Sequence, residues 1–176
     1  MTLRDLHLLG SPALRTRSTE VDAVDEAIRR LIDDLFETMD AAKGVGLAAN
    51  QVGITTRVAV VEADGRRLAL VNPVLRSPEG KAKSEEGCLS IPDVYADVTR
   101  PERIVLEAID REGQPYVIQA EGLLARAIQH EVDHLDGILF IDHLSPLKRQ
   151  MLLARYKKEH KGEAIIKPLK GAEAGR

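Results

Sequence analysis

Five consecutive residues, His130-Glu131-Val132-Asp133-His134, carry the pattern with the most specific chemistry. On a helix the two imidazoles stand one turn apart on one face and can share one metal ion. Glu131 is turned by about 100° from His130 around the axis and can reach a water held beside the pair. The same spacing also arises in helices that bind nothing, so its setting matters. Leu123, Ala127, His130 and His134 fall at i, i+4, i+7 and i+11, so the histidines are expected to continue an apolar stripe and face the core. Unliganded imidazoles and a carboxylate would be costly to desolvate there. Asp133 and Asp136 are expected as solvated or supporting groups rather than ligands.

Two histidines leave a catalytic site incomplete, because such metals usually hold three protein ligands and one open position. The metzincin solution places a histidine six residues after the second one, but Phe140 stands there. Downstream, Glu159 and Glu163 are the available carboxylates, in a polar, lysine-rich stretch where solvation accounts for them more simply. Upstream, Cys88 lies in Glu86-Gly87-Cys88-Leu89-Ser90. A thiolate is a soft, tight ligand, and Gly87 permits close backbone approach. Spacing alone leaves both solutions open. A third segment, Gly44-Val45-Gly46-Leu47-Ala48-Ala49-Asn50-Gln51, is built of small residues. It suits a tight helix-to-strand turn or a backbone that runs close to a partner. It is not a phosphate loop, since no Gly-Lys-Ser/Thr follows. Gln51 offers a neutral amide donor able to polarise a carbonyl oxygen.

The elements that position these groups can be read from periodicity. Apolar residues from Val24 to Ala42 recur at three- and four-residue steps, which predicts a helix capped by Asp22 and ended by Gly44. Arg57–Ala63 and Arg66–Asn72 flank Asp64-Gly65, a strong hairpin signal. Ile104–Asp110 and Tyr116–Ala120 flank a turn containing Gly113. Between the hairpins, Pro73, Pro78, Gly80, Pro92 and Pro101 are expected to break the chain into short pieces. After Gly122 a second helix bears the two histidines and stops at Gly137. Ile138–Ile141 reads as a short strand or linker. Ser145-Pro146 opens a third helix that runs to about His160. Strands and helices without β-α alternation predict an α+β fold, with short, mostly antiparallel sheets around a central helix carrying H-E-x-x-H and with N- and C-terminal helices. A single domain is expected over residues 1–162, followed by an unstructured tail at 163–176.

Composition narrows the function classes. The chain has 176 residues, 44% apolar and 30% charged, with net charge −3, which excludes wholesale disorder and a polyanion-tracking surface. Aromatics make up 3% with no Trp, so a base-stacking nucleic-acid platform is not expected. One cysteine excludes a disulfide scaffold. Neither a signal peptide nor a membrane span is expected, and the cytoplasm is the default location.

Taken in order, the three segments resemble the peptide deformylases. The matching stretches are Gly44 to Ala49 with Gln51, then Glu86 to Ser90, then Gln129 to Leu135, extending through Asp136 to Phe140 and Leu144 to Lys148. The resemblance implies removal of the N-formyl group from the initiator methionine of nascent chains in a bacterial cytoplasm. It implies Cys88, His130 and His134 as ligands of one divalent ion per chain. That ion is iron(II) by the family's habit, with zinc, nickel or cobalt able to substitute. It makes Glu131 the general base and later acid, and Gln51 with the backbone N–H of Leu89 the oxyanion donors. Val45, Gly46 and Gly87 become a backbone strip that pairs with the peptide. Glu86 and Arg100 become an ion pair steadying the cysteine loop. A methionine pocket is then expected at Leu123 and Ala127, with Val45 nearby. The basic third helix is expected to contact the ribosome, without direct sequence-specific nucleic-acid binding and without a membrane. Asn50 departs from the family pattern, which often has Pro or Thr there, and is expected to matter little.

Overall fold

A computed structural model describes residues 2–169. In chain order the elements are β1 Leu6–His7, α1 Glu26–Ala41, β2 Gly46–Ala48, β3 Val58–Ala63, β4 Arg66–Glu79 and β5 Ala82–Cys88. They continue with β6 Ile91–Arg100, β7 Arg103–Ile109, β8 Pro115–Glu121, α2 Gly122–Leu135, α3 Pro146–Glu159 and β9 Ile166–Lys167. A five-stranded antiparallel sheet runs β2-β3-β4-β7-β8, with separate two-stranded pairs β5-β6 and β1-β9. The fold is α+β, as the pattern predicts.

Strand β3 shows how the two main helices find their places. Its side chains alternate, so Val58 and Val60 join Leu31, Ile32, Leu35 and Met39 of α1. Ala59 and Val61 join Leu124, Ala125, Ile128 and Val132 of α2. The sheet is thus covered on one face by each helix. Each fully buried aliphatic side chain contributes about 1.5–3 kcal/mol, so these two contacts dominate the assembly. A third cluster places Ile91, Val94, Ala96 and Val98 of β6 against Leu139, Phe140, Ile141 and Tyr156. It fixes the cysteine-bearing hairpin to the chain after α2.

Several boundaries differ from expectation for local reasons. Helix α1 starts at Glu26 because the Asp25 carboxylate, not Asp22, accepts from Ile28 N at 2.9 Å. The prolines at 73 and 78 do not end β4. Each is preceded by a left-handed residue, Asn72 at φ 49° and Ser77 at φ 50°. The β4–β7 register shifts at those two places, so bulges absorb the missing donors. Asn72 then uses its side chain to bond both backbone groups of Val21 at 2.8 Å. Ile138–Ile141 does not form a strand; Phe140–His143 is a 3-10 turn. Residues 163–169 were expected to lack structure, but Ile166 and Lys167 pair with His7 and Leu6. Two backbone partners suffice to order a segment without its own periodicity. The remainder of the expected tail, 170–176, lies outside the described residues.

Two glycines test this backbone reading. Asp64 and Gly65 both have positive φ, 53° and 75°, as a two-residue hairpin turn requires. Gly65 faces open space, whereas a Cβ on Gly137 (φ 77°) would lie 2.8 Å from the Arg15 carbonyl. Gly65→Ala is expected to cost only the left-handed penalty, about 1–2 kcal/mol. Gly137→Ala should cost clearly more in urea titration, and equal losses would refute the steric argument.

Candidate active site

Cys88 and the two histidines of α2 converge. Cys88 Sγ lies 3.2 Å from His134 Nε2, which lies 3.2 Å from His130 Nε2. All three donor atoms fall within 4.8 Å of one another. Cys88 ends β5, and the β5–β6 register shifts between Glu86 and Cys88, which turns the thiol toward the helix. His130 Nδ1 is 2.9 Å from Glu86 Oε1. A carboxylate only accepts, so Nδ1 carries a proton, and Nε2 is the nitrogen that faces the cluster. Burial, followed by the charges of His130 and Arg100, pushes His134 well below its usual range and keeps its ring neutral. On His130 burial acts the same way, but bonds to Cys88 and Glu86 outweigh it and push the ring up. Metal binding would therefore release a proton from this site. A thiolate and two imidazole lone pairs aimed at one point fit a divalent transition metal.

Beneath the three donors lies a buried ionic network. Glu86 accepts from Arg100 at 2.6 and 2.9 Å and from Arg126 at 2.5 Å. Arg126 also donates to the carbonyls of Val98 and Ala82, which bolts α2 to the β5–β6 pair. Arg100 reaches Asp133 at 2.8 Å, and Asp133 meets His143 at 2.7 Å. Burial works to raise the Glu86 carboxyl, but bonds from His130 and Arg100 and the arginine's charge hold it well below the usual carboxylate range. The Glu86–Arg100 pair expected from resemblance is present. Arg126 was not foreseen, because an arginine on an apolar helix face gives no sequence signal of its partner.

Glu131 is buried beside the cluster, with Oε1 unpartnered among the described residues. Burial raises its carboxyl to about 7, against the lowering charges of His130 and Arg100. A Cβ on Gly46 would lie 2.5 Å from Glu131 Oε2, so glycine there makes room for the carboxylate. Gln51 sits in a 3-10 turn, Ala49–Val52. Its Nε2 donates to Ser90 Oγ at 3.1 Å and points at Cys88 Sγ at 3.6 Å. Leu89 occupies the turn after Cys88, with its side chain against Gly44.

The other expected residues divide. Strand β2 is a sheet edge. Glu62 N donates to Val45 O at 2.8 Å, and Gly46 is opposite Val61. By antiparallel alternation Val45 faces β3, and the outward backbone groups belong to Gly46. Gly87 is pressed by the Tyr95 ring, 2.6 Å from any added Cβ. Ala127 is buried, but Leu123, expected on the inward stripe, is 49% exposed. The first turn of α2 is registered instead by Leu124, whose N–H donates to Asp64 and whose side chain enters the core. Glu159 pairs with Arg155 and Glu163 with His160, so neither joins the cluster. Asn50, expected to matter little, is fully buried and bonded to the carbonyl of His134.

Fold and site define a class: an α+β protein in which an H-E-x-x-H helix and a strand-borne cysteine present three metal-ligating groups at one point. The model of the polypeptide deformylase family matches residues 3–150. A peptide deformylase of Rhizobium meliloti is 49% identical over 167 residues, covering 92% of this chain and 96% of the relative. One from Corynebacterium efficiens is 50% identical over 155 residues, covering 85% and 92%. Among solved structures, the Legionella pneumophila peptide deformylase superposes with TM-score 0.85 at 43% identity, covering 90% and 95%. The Ehrlichia chaffeensis enzyme in complex with actinonin gives 0.87 at 38%, covering 92% and 99%. The chain belongs to the peptide deformylase family.

The network makes Glu86 a decisive position. Glu86→Gln takes the carboxylate partner from Arg126 and leaves Arg100 with Asp133 alone, and breaking buried pairs costs about 3–5 kcal/mol. Chemical denaturation of the metal-free protein should show that loss. Metal affinity should also fall, by about 10–100-fold, as His130 loses its anionic partner. Unchanged affinity would refute the orienting role.

Proposed function

We propose that this chain removes the N-formyl group from the initiator methionine of nascent polypeptides and releases formate. Cys88, His130 and His134 hold one divalent ion, iron(II) in the cell, with zinc, nickel or cobalt able to replace it. The observation that carries the reading is the convergence of those three donors beside a buried glutamate, in a chain of this family. A bound divalent ion supplies Lewis-acid chemistry, polarising a carbonyl oxygen and lowering the pKa of water from about 15.7 toward about 7.

The chain's own groups do the rest. Glu131, with its carboxyl raised to about 7 by burial, accepts a proton from the attacking water near neutral pH. Oxygen adds to the formyl carbon, and negative charge gathers on the former carbonyl oxygen. Gln51 Nε2 and the Leu89 N–H donate to that oxygen, and losing one such donor typically costs about 2.7–4 kcal/mol of barrier. Glu131 then returns the proton to the departing amine as the C–N bond breaks. Formate and a free N-terminus result.

The peptide is held as an added strand along the outward groups of Gly46 on β2 and beside Gly87, with Val45 at its margin. Ala127 and the exposed Leu123 form the wall of the methionine pocket. The catalytic unit extends past residue 162 to include Ile166 and Lys167, which pair with β1. The ribosome is approached through α3, where Leu147 and Met151 are exposed among Lys148, Arg155, Lys157 and Lys158. Bacterial relatives support a bacterial source, and the cytoplasm, where nascent chains are made, is the setting that this activity requires. No helix among the described residues is long and apolar enough to cross a membrane.

Formate release from formyl-Met-Ala-Ser, measured with anaerobically purified protein and metal analysis of the same sample, tests the reading. Turnover should accompany about one metal per chain, and Cys88→Ala should lose both. Metal bound without formate release would overturn the reading. Glu131→Ala should keep its metal and lose about 10²–10⁴-fold in turnover. Gly46→Ala should also lose turnover while retaining metal, because the added methyl group occupies the place of the Glu131 carboxylate. Full activity in the Gly46→Ala variant would refute that packing.

A further inference from the structure

We propose that Asn50 is a positioning residue for the metal site. Its side-chain amide ties the turn carrying Gln51 to the main-chain carbonyl of His134, and so sets the separation of Cys88 and His134. The proposal rests on the metal reading above and adds a residue to it.

Asn50 is wholly buried. Its Nδ2 lies 2.5 Å from His134 O. A carbonyl only accepts, so the amide nitrogen must face it. The amide oxygen on the other side is buried without a hydrogen-bond partner among the described residues. A buried polar group left half satisfied is a net cost to the fold. Packing alone would be served better by an apolar side chain of the same size.

The geometry says what the bond does. His134 lies in the last turn of α2; its carbonyl already receives Gly137 N at 3.0 Å, and the Asn50 amide takes the second acceptor site of the same oxygen. The next carbonyl, Leu135 O, receives Ser18 N at 2.8 Å and Arg57 at 3.2 Å. Those two bonds fix the helix end to the N-terminal segment and to the start of β3. The Asn50 bond differs, because its neighbour in the same 3-10 turn, Gln51, lies against Cys88 Sγ and Ser90 Oγ. That turn is stiff: Ala48 N donates to Gln51 Oε1 at 2.9 Å, and Gly53 N and Ile54 N bond back to Asn50 O and Ala49 O. Adjacent residues of one rigid turn therefore hold the backbone of one ligand and lie against the Cys88–Ser90 loop that carries another. The two ligands come from different elements, and Asn50 with Gln51 forms a short brace between them. Ligand sets tolerate little displacement, so loosening one arm of the brace should be felt at the metal.

Cobalt(II) is the probe, titrated into metal-free protein against a competing chelator, with the ligand-field absorption bands recorded. Asn50→Leu keeps the size and removes the donor, and Asn50→Ala serves if the leucine variant does not fold. Ile32→Ala is the control, since it opens a cavity under α1 in a cluster that includes Ala49 and Val52 of the same turn but none of Cys88, His130 and His134, and so perturbs packing without removing the amide bond. The Asn50 variants should bind cobalt at least about ten-fold more weakly, with shifted bands, an effect of the size that metal-supporting residues show. Ile32→Ala should match the parent in affinity and spectrum even at an equal or greater loss of Tm. Asn50 variants that bind within two-fold of the parent with unshifted bands would overturn the proposal. An Ile32→Ala protein equally weakened at the same Tm loss would overturn it too, by showing that stability alone sets affinity. A parent that takes up no cobalt would instead overturn the metal reading on which the proposal rests.

Discussion

The carboxylate of Glu86 is buried, and three groups answer for its charge. Two guanidinium groups, Arg100 and Arg126, approach from a strand and a helix, and an imidazole N–H from His130 completes the shell. An isolated carboxylate there would be protonated or would unfold the region. Because it is paired from three directions, it stays ionised. It orients the His130 ring of the Cys88/His130/His134 cluster, and it binds β5, β6 and α2 into one unit. Hydrophobic packing brings these elements together, but packing is indifferent to small rotations. The charged bonds are directional, so they set the angle at which the cysteine strand meets the histidine helix.

The rest of the architecture serves that meeting. The five-stranded sheet takes α1 and α2 on its two faces through the alternation of β3. The α2 helix is thereby pinned along its length, and its last turn is held by Ser18, Asn50 and Arg57. The third cluster, around Phe140 and Tyr156, backs the cysteine hairpin from the other side. Glycine at 46 and 87 answers local crowding by Glu131 and Tyr95. In this site glycine is required as much by neighbouring side chains as by any bound peptide.

Much of this was legible before the structure. The H-E-x-x-H spacing, the cysteine in its small-residue loop and Gln51 are local signals, and local signals survive translation into three dimensions. The Asp64-Gly65 turn and the Ser145-Pro146 start are of the same kind. What could not be read depends on distance across the chain. Arg126 looks like a surface residue until Ala82, Glu86 and Val98 are placed around it. Leu123 looks inward by periodicity, but the Asp64 bond registers the first turn on Leu124. The prolines of β4 read as breaks because a bulge is a property of two strands, and only one strand is visible at a time. Asn50 looked incidental because nothing near it in sequence names His134 O as its partner.

The small pairing of β1 with β9 joins residues from nearly opposite ends of the described chain. Leu8 N adds a bond to Ile165 O at 2.6 Å. Closing so long a loop for so few bonds is entropically unfavourable until the rest of the molecule is folded and has brought the ends close. The strap is therefore a late event in folding and an early one in opening. On a growing chain it cannot form until residue 167 has been made, so Leu6 and His7 wait without strand partners while the body of the fold assembles. A closed strap marks a molecule whose synthesis has passed the histidine helix and everything that braces it.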